Sequence, residues 1–354
     1  MRVAICWGGV SGYMAACWRE LASRPGIDLL VLNQAGQQHN TAFAEEVTRG
    51  FNHRFLSEPT AAAYAAAIRE HRAEVVSLSG WLHPAFLEVA ADPQFSAVPF
   101  LIGIDTPLQR TWRQRLGRVR LRTYLRRMSR IVVPGERAWQ YARYLGFAES
   151  QIRRGLYGID YNALAPLHER RVREAGERRW PGRFLFVGRY VPEKGLDVLV
   201  AAYRRYRAGV SDPWPLTCCG MGPQRDLIAG EPGVEDAGFI QPDQMPDMFA
   251  RHGALVLSSR FDPWPLVIAE ASAAGLPVVC TEACGSAVEL VRNEYSGFTA
   301  ATEDAESLSR ALVRAHESHA KLPEMGRRAQ AFAAAYSAQA WADRWERILR
   351  ELVP

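Results

Sequence analysis

The feature that most constrains this chain is an alternation of short apolar runs with helix-length patterned stretches, interrupted once and then resumed. Arg2 to Trp7 reads as a strand, Gly12 to Leu21 as a helix and Ile27 to Leu32 as a strand. Helix is expected at Ala61 to Arg69, His83 to Ala90, Arg110 to Met128 and Arg137 to Leu145. Strands are expected between these helices at Glu74 to Leu78, Val98 to Ile104 and Arg130 to Val133. Strands separated by helices of this length imply a parallel sheet with right-handed crossovers. From Leu164 to Arg183 the pattern lapses into LAPLHERRVREAGERRWPGR, polar and bearing Pro and Gly, which reads as a linker.

The alternation restarts with strands at Phe184 to Val187, Pro215 to Cys219 and Ala254 to Leu257, and helices at Leu196 to Arg207 and Gln224 to Ile228. It closes with helices at Ala305 to Ser318, Met325 to Ala335 and Ala338 to Leu352. In the last helix Trp341, Trp345, Ile348 and Leu352 fall on one face. The expected architecture is α/β: two successive Rossmann-like parallel-sheet domains, 1–165 and 166–336, with the terminal helix 337–354 added to the first. Length supports the division, since 354 residues exceed a typical single domain.

Composition excludes several classes. No run of about 18 apolar residues is present, so no bilayer span is expected. The opening MRVAICWGGVSG enters a strand rather than a signal peptide. Six cysteines lie scattered without metal-ligand pairs, which suits a reduced cytoplasm. A net charge of +5 permits anionic partners without naming one.

Open α/β sheets bind ligands beyond the carboxyl ends of their strands, so the default site is the cleft faced by the two sheets. The candidate loops are Trp7 to Gly12, Gly80 to His83, Ile104 to Pro107, Gly188 to Gly195, Gly220 to Pro223 and Arg260 to Pro265. The richest is in LVLSSRFDPWPLVIAEASAAGLPVV, Leu255 to Val279. Pro265 suits the first helical position, which leaves the Leu266 and Val267 amides free at a positive helix end. Asp262 and Glu270 flank that end, placed to bond hydroxyls on either side of a phosphate. The plainer alternative is an ordinary capped turn.

In Gly188 to Gly195, Arg189 and Lys194 sit five residues apart on a strand-to-helix loop and can both reach one diphosphate. The alternative is a solvated turn, and without G-K-[ST] this is no P-loop. Gly8 to Gly12 lets backbone approach a ligand but fails as a dinucleotide fingerprint, with Trp7 in place of the first glycine. No D-x-D, H-E-x-x-H or G-x-S-x-G is present. His83 and Asp105 are the polar residues nearest the first-domain strand ends. His83 reads as structural and Asp105 as a turn cap or a site residue. Cys218 and Cys219 read as buried thiols.

Arg110 to Arg130 holds nine arginines, with Leu121, Tyr124, Leu125 and Met128 on one helix face. It reads as a surface helix packed on the sheet, or as a contact for an anionic membrane. No nucleic-acid-binding fold or interleaved aromatic pattern accompanies the charge, so no nucleic acid is expected.

Together these residues resemble the retaining glycosyltransferases of the GT-B architecture, the group 1 family that includes glycogen- and sucrose-synthase-like enzymes. FLFVGRYVPEKGLDVLVAAYRRY is similar to their diphosphate-binding strand, loop and helix. Asp262 to Glu270 resembles their motif of two acids separated by seven residues, and AAGLPVVCT, ELVRNEYSGF and LYGIDYNAL resemble further segments. The terminal Trp-bearing helix resembles the one that crosses back to the first domain.

The resemblance implies retaining transfer of a sugar from a nucleotide diphosphate sugar, without metal or other cofactor, to a glycan, lipid-linked or small-molecule acceptor. It implies that Glu270 holds the ribose, Asp262 and Trp264 face the sugar, and Leu266 and Val267 offer amides to the distal phosphate. Arg189 and Lys194 would offset the diphosphate charge, Phe239 and Ile240 would lie beside the base, and Gly9 near the phosphates. This chain departs from the pattern at Asp262, where the family has Glu, and at Pro265, where it has Gly. Many members carry histidine before aspartate where this chain has Ile104-Asp105, and Asp105 is the expected substitute. Alternatives are a nucleotide-sugar-binding protein without transferase activity, or a nucleotide-sugar epimerase.

Overall fold

A computed structural model describes residues 1–34, 45–178 and 180–353. The chain forms two compact units: Met1–Ile159 with Ala338–Pro354, and Asp160–Ser337.

The first unit is a seven-stranded sheet of β1 (Arg2–Trp7), β2 (Asp28–Gln34), β3 (Asn52–Leu56), β4 (Val75–Leu78), β5 (Phe100–Gly103), β6 (Met128–Val133) and β7 (Ile152–Arg154). All neighbours pair in parallel in the order β3-β2-β1-β4-β5-β6-β7. The order reverses between β1 and β4, and the loops after those strands hold Gly9 and His83. The terminal helix Ala338–Arg350 packs against helix Gly12–Ala22 in this unit. Trp341, Trp345 and Ile348 of its expected stripe are buried, Leu352 lies past the helix end and is half-buried, and each indole finds an acceptor. Trp341 Nε1 donates to the Leu156 carbonyl at 3.0 Å and Trp345 Nε1 to Gly155 at 2.9 Å. A buried indole N–H left unpaired would offset much of the gain from burying the ring.

The second unit is a six-stranded parallel sheet of β8 (Phe184–Val187), β9 (Leu216–Cys219), β10 (Val234–Gly238), β11 (Ala254–Leu257), β12 (Val278–Thr281) and β13 (Gly297–Ala300). Its order is β10-β9-β8-β11-β12-β13. The reversal falls between β8 and β11, the position where open α/β sheets leave a crevice at the strand ends.

Several local expectations change. β3, β7 and β13 carry no apolar run that marks them in the sequence, and all three are sheet edges. An edge strand has one solvent flank and needs no continuous apolar run. The Arg110–Met128 helix becomes two pieces, Trp112–Arg120 and Arg122–Arg126, broken at Leu121 with ψ near 1°. Met128, assigned to the face of that helix, instead begins β6. The expected linker is largely the helix Pro166–Arg178. Its inward stripe is hidden from hydropathy because it includes Arg171, which is buried. Arg171 donates to the Ala274 and Phe249 carbonyls at 3.0 and 2.6 Å and lies over the Trp180 ring. The first unit ends at Ile159 rather than at residue 165, because the short helix Tyr161–Leu164 packs on helix Leu266–Ala273 of the second.

Candidate functional site

The adjacency of β8 and β11 brings together two loops that are 60 to 70 residues apart in sequence. They are locked by main-chain and side-chain bonds. The Arg260 amide donates to the Glu193 carbonyl at 2.8 Å, and the Ser258 hydroxyl to the Lys194 carbonyl at 2.8 Å. The Arg260 guanidinium forks onto Asp197 at 2.7 and 2.6 Å and also donates to the Pro192 carbonyl at 3.0 Å. The Asp197 bonds push the Arg260 pKa up, and the Arg260 fork holds the Asp197 carboxyl below its usual range. Gly195 takes a left-handed φ of 63° where the chain turns into the next helix, and a methyl there would overlap the Ser258 carbonyl.

This bracing presents the predicted residues. Lys194 Nζ bonds Asp262 Oδ2, an ion pair with both side chains largely buried. The sequence reading gave these two groups separate partners, a diphosphate and a sugar, whereas here each is the other's partner. An ammonium has three donors, so two remain for a ligand. Arg189 is exposed and makes no ion pair among the described residues.

The Asp262 loop is seated from below by the segment after β12. The Gly285 amide donates to the Asp262 carbonyl at 2.9 Å. A methyl at Gly285 would overlap the Pro263 carbonyl, so only glycine allows this approach.

Pro265 is one position earlier than expected. It is the N-cap of helix Leu266–Ala273 rather than its first helical residue, with φ −63° and ψ 110°. No side chain caps this end, and neither the Leu266 nor the Val267 amide has an acceptor among the described residues. Two orphan donors at the positive end of a helix favour an anion.

Glu270, further along the same helix, is half-buried, and its carboxylate has no hydrogen-bond or ionic partner among the described residues. Burial pushes its pKa up to about 7. A half-buried carboxylate without a donor carries a desolvation cost, and it marks a place where hydroxyl donors from a ligand would be stabilising.

Trp264 lies differently from expectation. Its ring is 5% exposed, packs on Tyr336 at 5.1 Å and donates to Glu289 at 3.3 Å, so it holds the loop and offers little surface to a sugar. Phe239 and Ile240 emerge half-buried from the end of β10, where the Gly220 amide bonds the Gly238 carbonyl at 2.7 Å. Beside them Asp236 accepts from Tyr190 at 2.9 Å and Arg225 at 2.6 Å. Burial pushes this carboxyl up, but those bonds and the Gly238 amide together hold it below its usual range.

Gly9 and Asp105 belong to the first unit. Asp105, half-buried after β5, accepts from the Tyr157 hydroxyl at 2.9 Å. His83 packs edge-on to Tyr64, and burial lowers its pKa, in keeping with a structural role. Cys218 and Cys219 are buried in β9. Sequence reasoning missed Ser258, Arg260 with Asp197, and Gly285. No local signal marks them, because each acts on a loop distant in sequence.

Among the described residues no group of three or more His, Cys, Asp or Glu side chains is arranged to hold a metal ion. No helix among them is long and apolar enough to cross a membrane.

Two parallel-sheet units, with the terminal helix packed in the first, place the chain in the GT-B fold class. The crystal structure of Anabaena HepE in complex with UDP has the same fold, with a TM-score of 0.77 over 99% of this chain and all of that one at 17% identity. Residues 181–318 match the family described as glycosyl transferases group 1. Over 174 residues the chain is 32% identical to the glycogen synthase of Mycobacterium tuberculosis, covering 47% of this chain and 40% of that one. Over 172 residues it is 31% identical to an exopolysaccharide phosphotransferase of Streptomyces coelicolor, covering 47% and 18%. The chain thus spans less than half the length of these curated relatives.

Proposed function

We propose that this chain is a retaining glycosyltransferase that moves a sugar from a nucleotide diphosphate sugar to an acceptor hydroxyl without a metal ion. One observation carries the reading. The Lys194–Asp262 pair, the two orphan amides and the unpartnered Glu270 all belong to the loops and helix that follow β8 and β11, at the reversal point of the second sheet. Together they offer cation, donors and acceptor to a ligand with phosphate, sugar and ribose in sequence.

In this reading the bond between the anomeric carbon and the diphosphate oxygen breaks, and the charge left on the diphosphate is met by Arg189, Lys194 and the Leu266 and Val267 amides. Preorganised donors and cations of this kind stabilise a leaving group without reorganising at the moment of reaction. Glu270 accepts from the ribose hydroxyls and Asp262 from the sugar. Retention has the acceptor oxygen bond the anomeric carbon on the face the diphosphate leaves, with the acceptor proton passing to the departing oxygen. Phe239 and Ile240 flank the base. The UDP bound to Anabaena HepE makes a uridine nucleotide the first donor to try.

The test incubates the chain with UDP-, GDP- and ADP-sugars, with and without acceptors and with a chelator. Nucleotide release is followed, and the anomeric configuration of the product is read by NMR. Acceptor-dependent release that survives chelation and gives a retained product is expected. Nucleotide binding without turnover would point to a binding protein, and an isomerised sugar to an epimerase. Lys194→Ala should lower turnover by roughly 10²-fold, as loss of a preorganised charge stabiliser does. Unchanged turnover in a folded variant would remove Lys194 from the mechanism.

A further inference from the structure

Between Arg110 and Arg130 the sequence has nine arginines and no carboxylate. Helix Trp112–Arg120 is fixed to the first unit chiefly by Gln114, its buried residue. The Gln114 side chain accepts from the Gln109 and Arg110 amides at 2.9 Å each and donates to the Pro107 carbonyl at 2.8 Å. Packing against the first unit's core is done by Tyr124 and Leu125 further on, which are buried. This leaves Trp112 68%, Leu116 43% and Val119 70% exposed, and their spacing of four and three puts them on one helix face.

Beside that face, and reaching Val119, lies a cavity of about 700 Å³ lined by Arg115, Arg118, Arg122, Arg126 and Tyr144. Arg118 lies over the Tyr144 ring at 5.2 Å. None of the four arginines has an acidic partner among the described residues, although many arginines elsewhere in the chain do.

We propose that this face seats on an anionic lipid bilayer, with Trp112, Leu116 and Val119 entering the interface and the arginine-lined cavity taking lipid phosphates. A soluble polyanion would satisfy the arginines but leave the three apolar side chains in water. A bilayer surface offers phosphate and apolar depth side by side, as helices lying in the interface use them. The face is formed within the first unit, and its argument does not depend on the transfer chemistry.

The experiment sediments the full chain with vesicles of phosphatidylcholine alone or mixed with phosphatidylglycerol. Binding is expected to the mixed vesicles only, and to fall at high salt. Each arginine near an anionic surface weights partitioning by roughly fivefold, so Arg115→Gln, Arg118→Gln and Arg122→Gln together should weaken it by roughly 10²-fold. Trp112→Ser with Val119→Ser leaves the charge unchanged and should weaken binding by roughly tenfold or more through lost apolar burial. Circular dichroism and thermal melting confirm that both variants fold. Equal binding to neutral vesicles would overturn the proposal, as would indifference to either set of substitutions. So would competition by tripolyphosphate at matched ionic strength without any effect of the serine variant, which would mark a site for soluble polyanions.

Discussion

The carboxylate of Glu270 gives the sharpest single test of the site, because its effect on stability and its effect on binding have opposite signs. Its ordinary pKa of 4.5 is pushed up to about 7 by burial, and no donor among the described residues compensates. At ~1.4 kcal/mol per pH unit the difference amounts to ~3 kcal/mol. Half-burial of the residue brings the working figure to ~2 kcal/mol.

A raised acid binds its proton more tightly in the folded state. Stability is therefore full below pH ~4.5 and is lost as pH rises through ~7. Glu270→Gln removes the titration. The variant should match the wild type at pH 4.5 and exceed it by ~2 kcal/mol above pH 7.5, a rise in Tm of roughly 4–8 °C for a unit of this size. Donor binding should move the other way. Replacing a charged acceptor with a neutral one costs ~1 kcal/mol or more, so nucleotide affinity should fall by roughly tenfold. Thermal unfolding of both proteins across pH 4.5 to 8.5, with and without nucleotide, reads both effects. A stability difference that does not change with pH, or equal nucleotide affinity, would refute the picture of a carboxylate waiting for ligand hydroxyls.

Two further outcomes bear on the loops around it. Gly285→Ala sets a methyl against the Pro263 carbonyl and should destabilise the second unit by about 1–3 kcal/mol while displacing Asp262. Calorimetry should show the lowered Tm and titration a weakened donor. Trp264→Phe keeps the packing on Tyr336 and loses the bond to Glu289. It should cost about 1 kcal/mol of stability and leave KM unchanged, and a raised KM with unchanged stability would show that the indole touches the sugar after all.

The sequence by itself determined the class. Apolar runs such as Phe184–Val187 and Val278–Thr281 are buried on both faces, and a strand so placed has to be continuously apolar, which is why it is legible. The edge strands β3, β7 and β13 were illegible for the complementary reason. Loop positions follow from strand ends, so Arg189, Lys194, Asp262, Glu270 and the helix end at Leu266 could be named from local pattern. Arg171 shows the limit of hydropathy, since a buried guanidinium bonded to two carbonyls reads as a surface residue.

Tertiary structure alone decided which of the named residues meet. The Lys194–Asp262 pair, the Arg260 fork that ties one loop to the other, and the inward turn of Trp264 all join positions between 25 and 70 residues apart. Spacing along the chain says nothing about such partners, because the order of strands in the sheet sets them. β11 lies against β8 rather than beside β10, which precedes it in sequence. That one adjacency converts two ordinary strand-to-helix turns into a site.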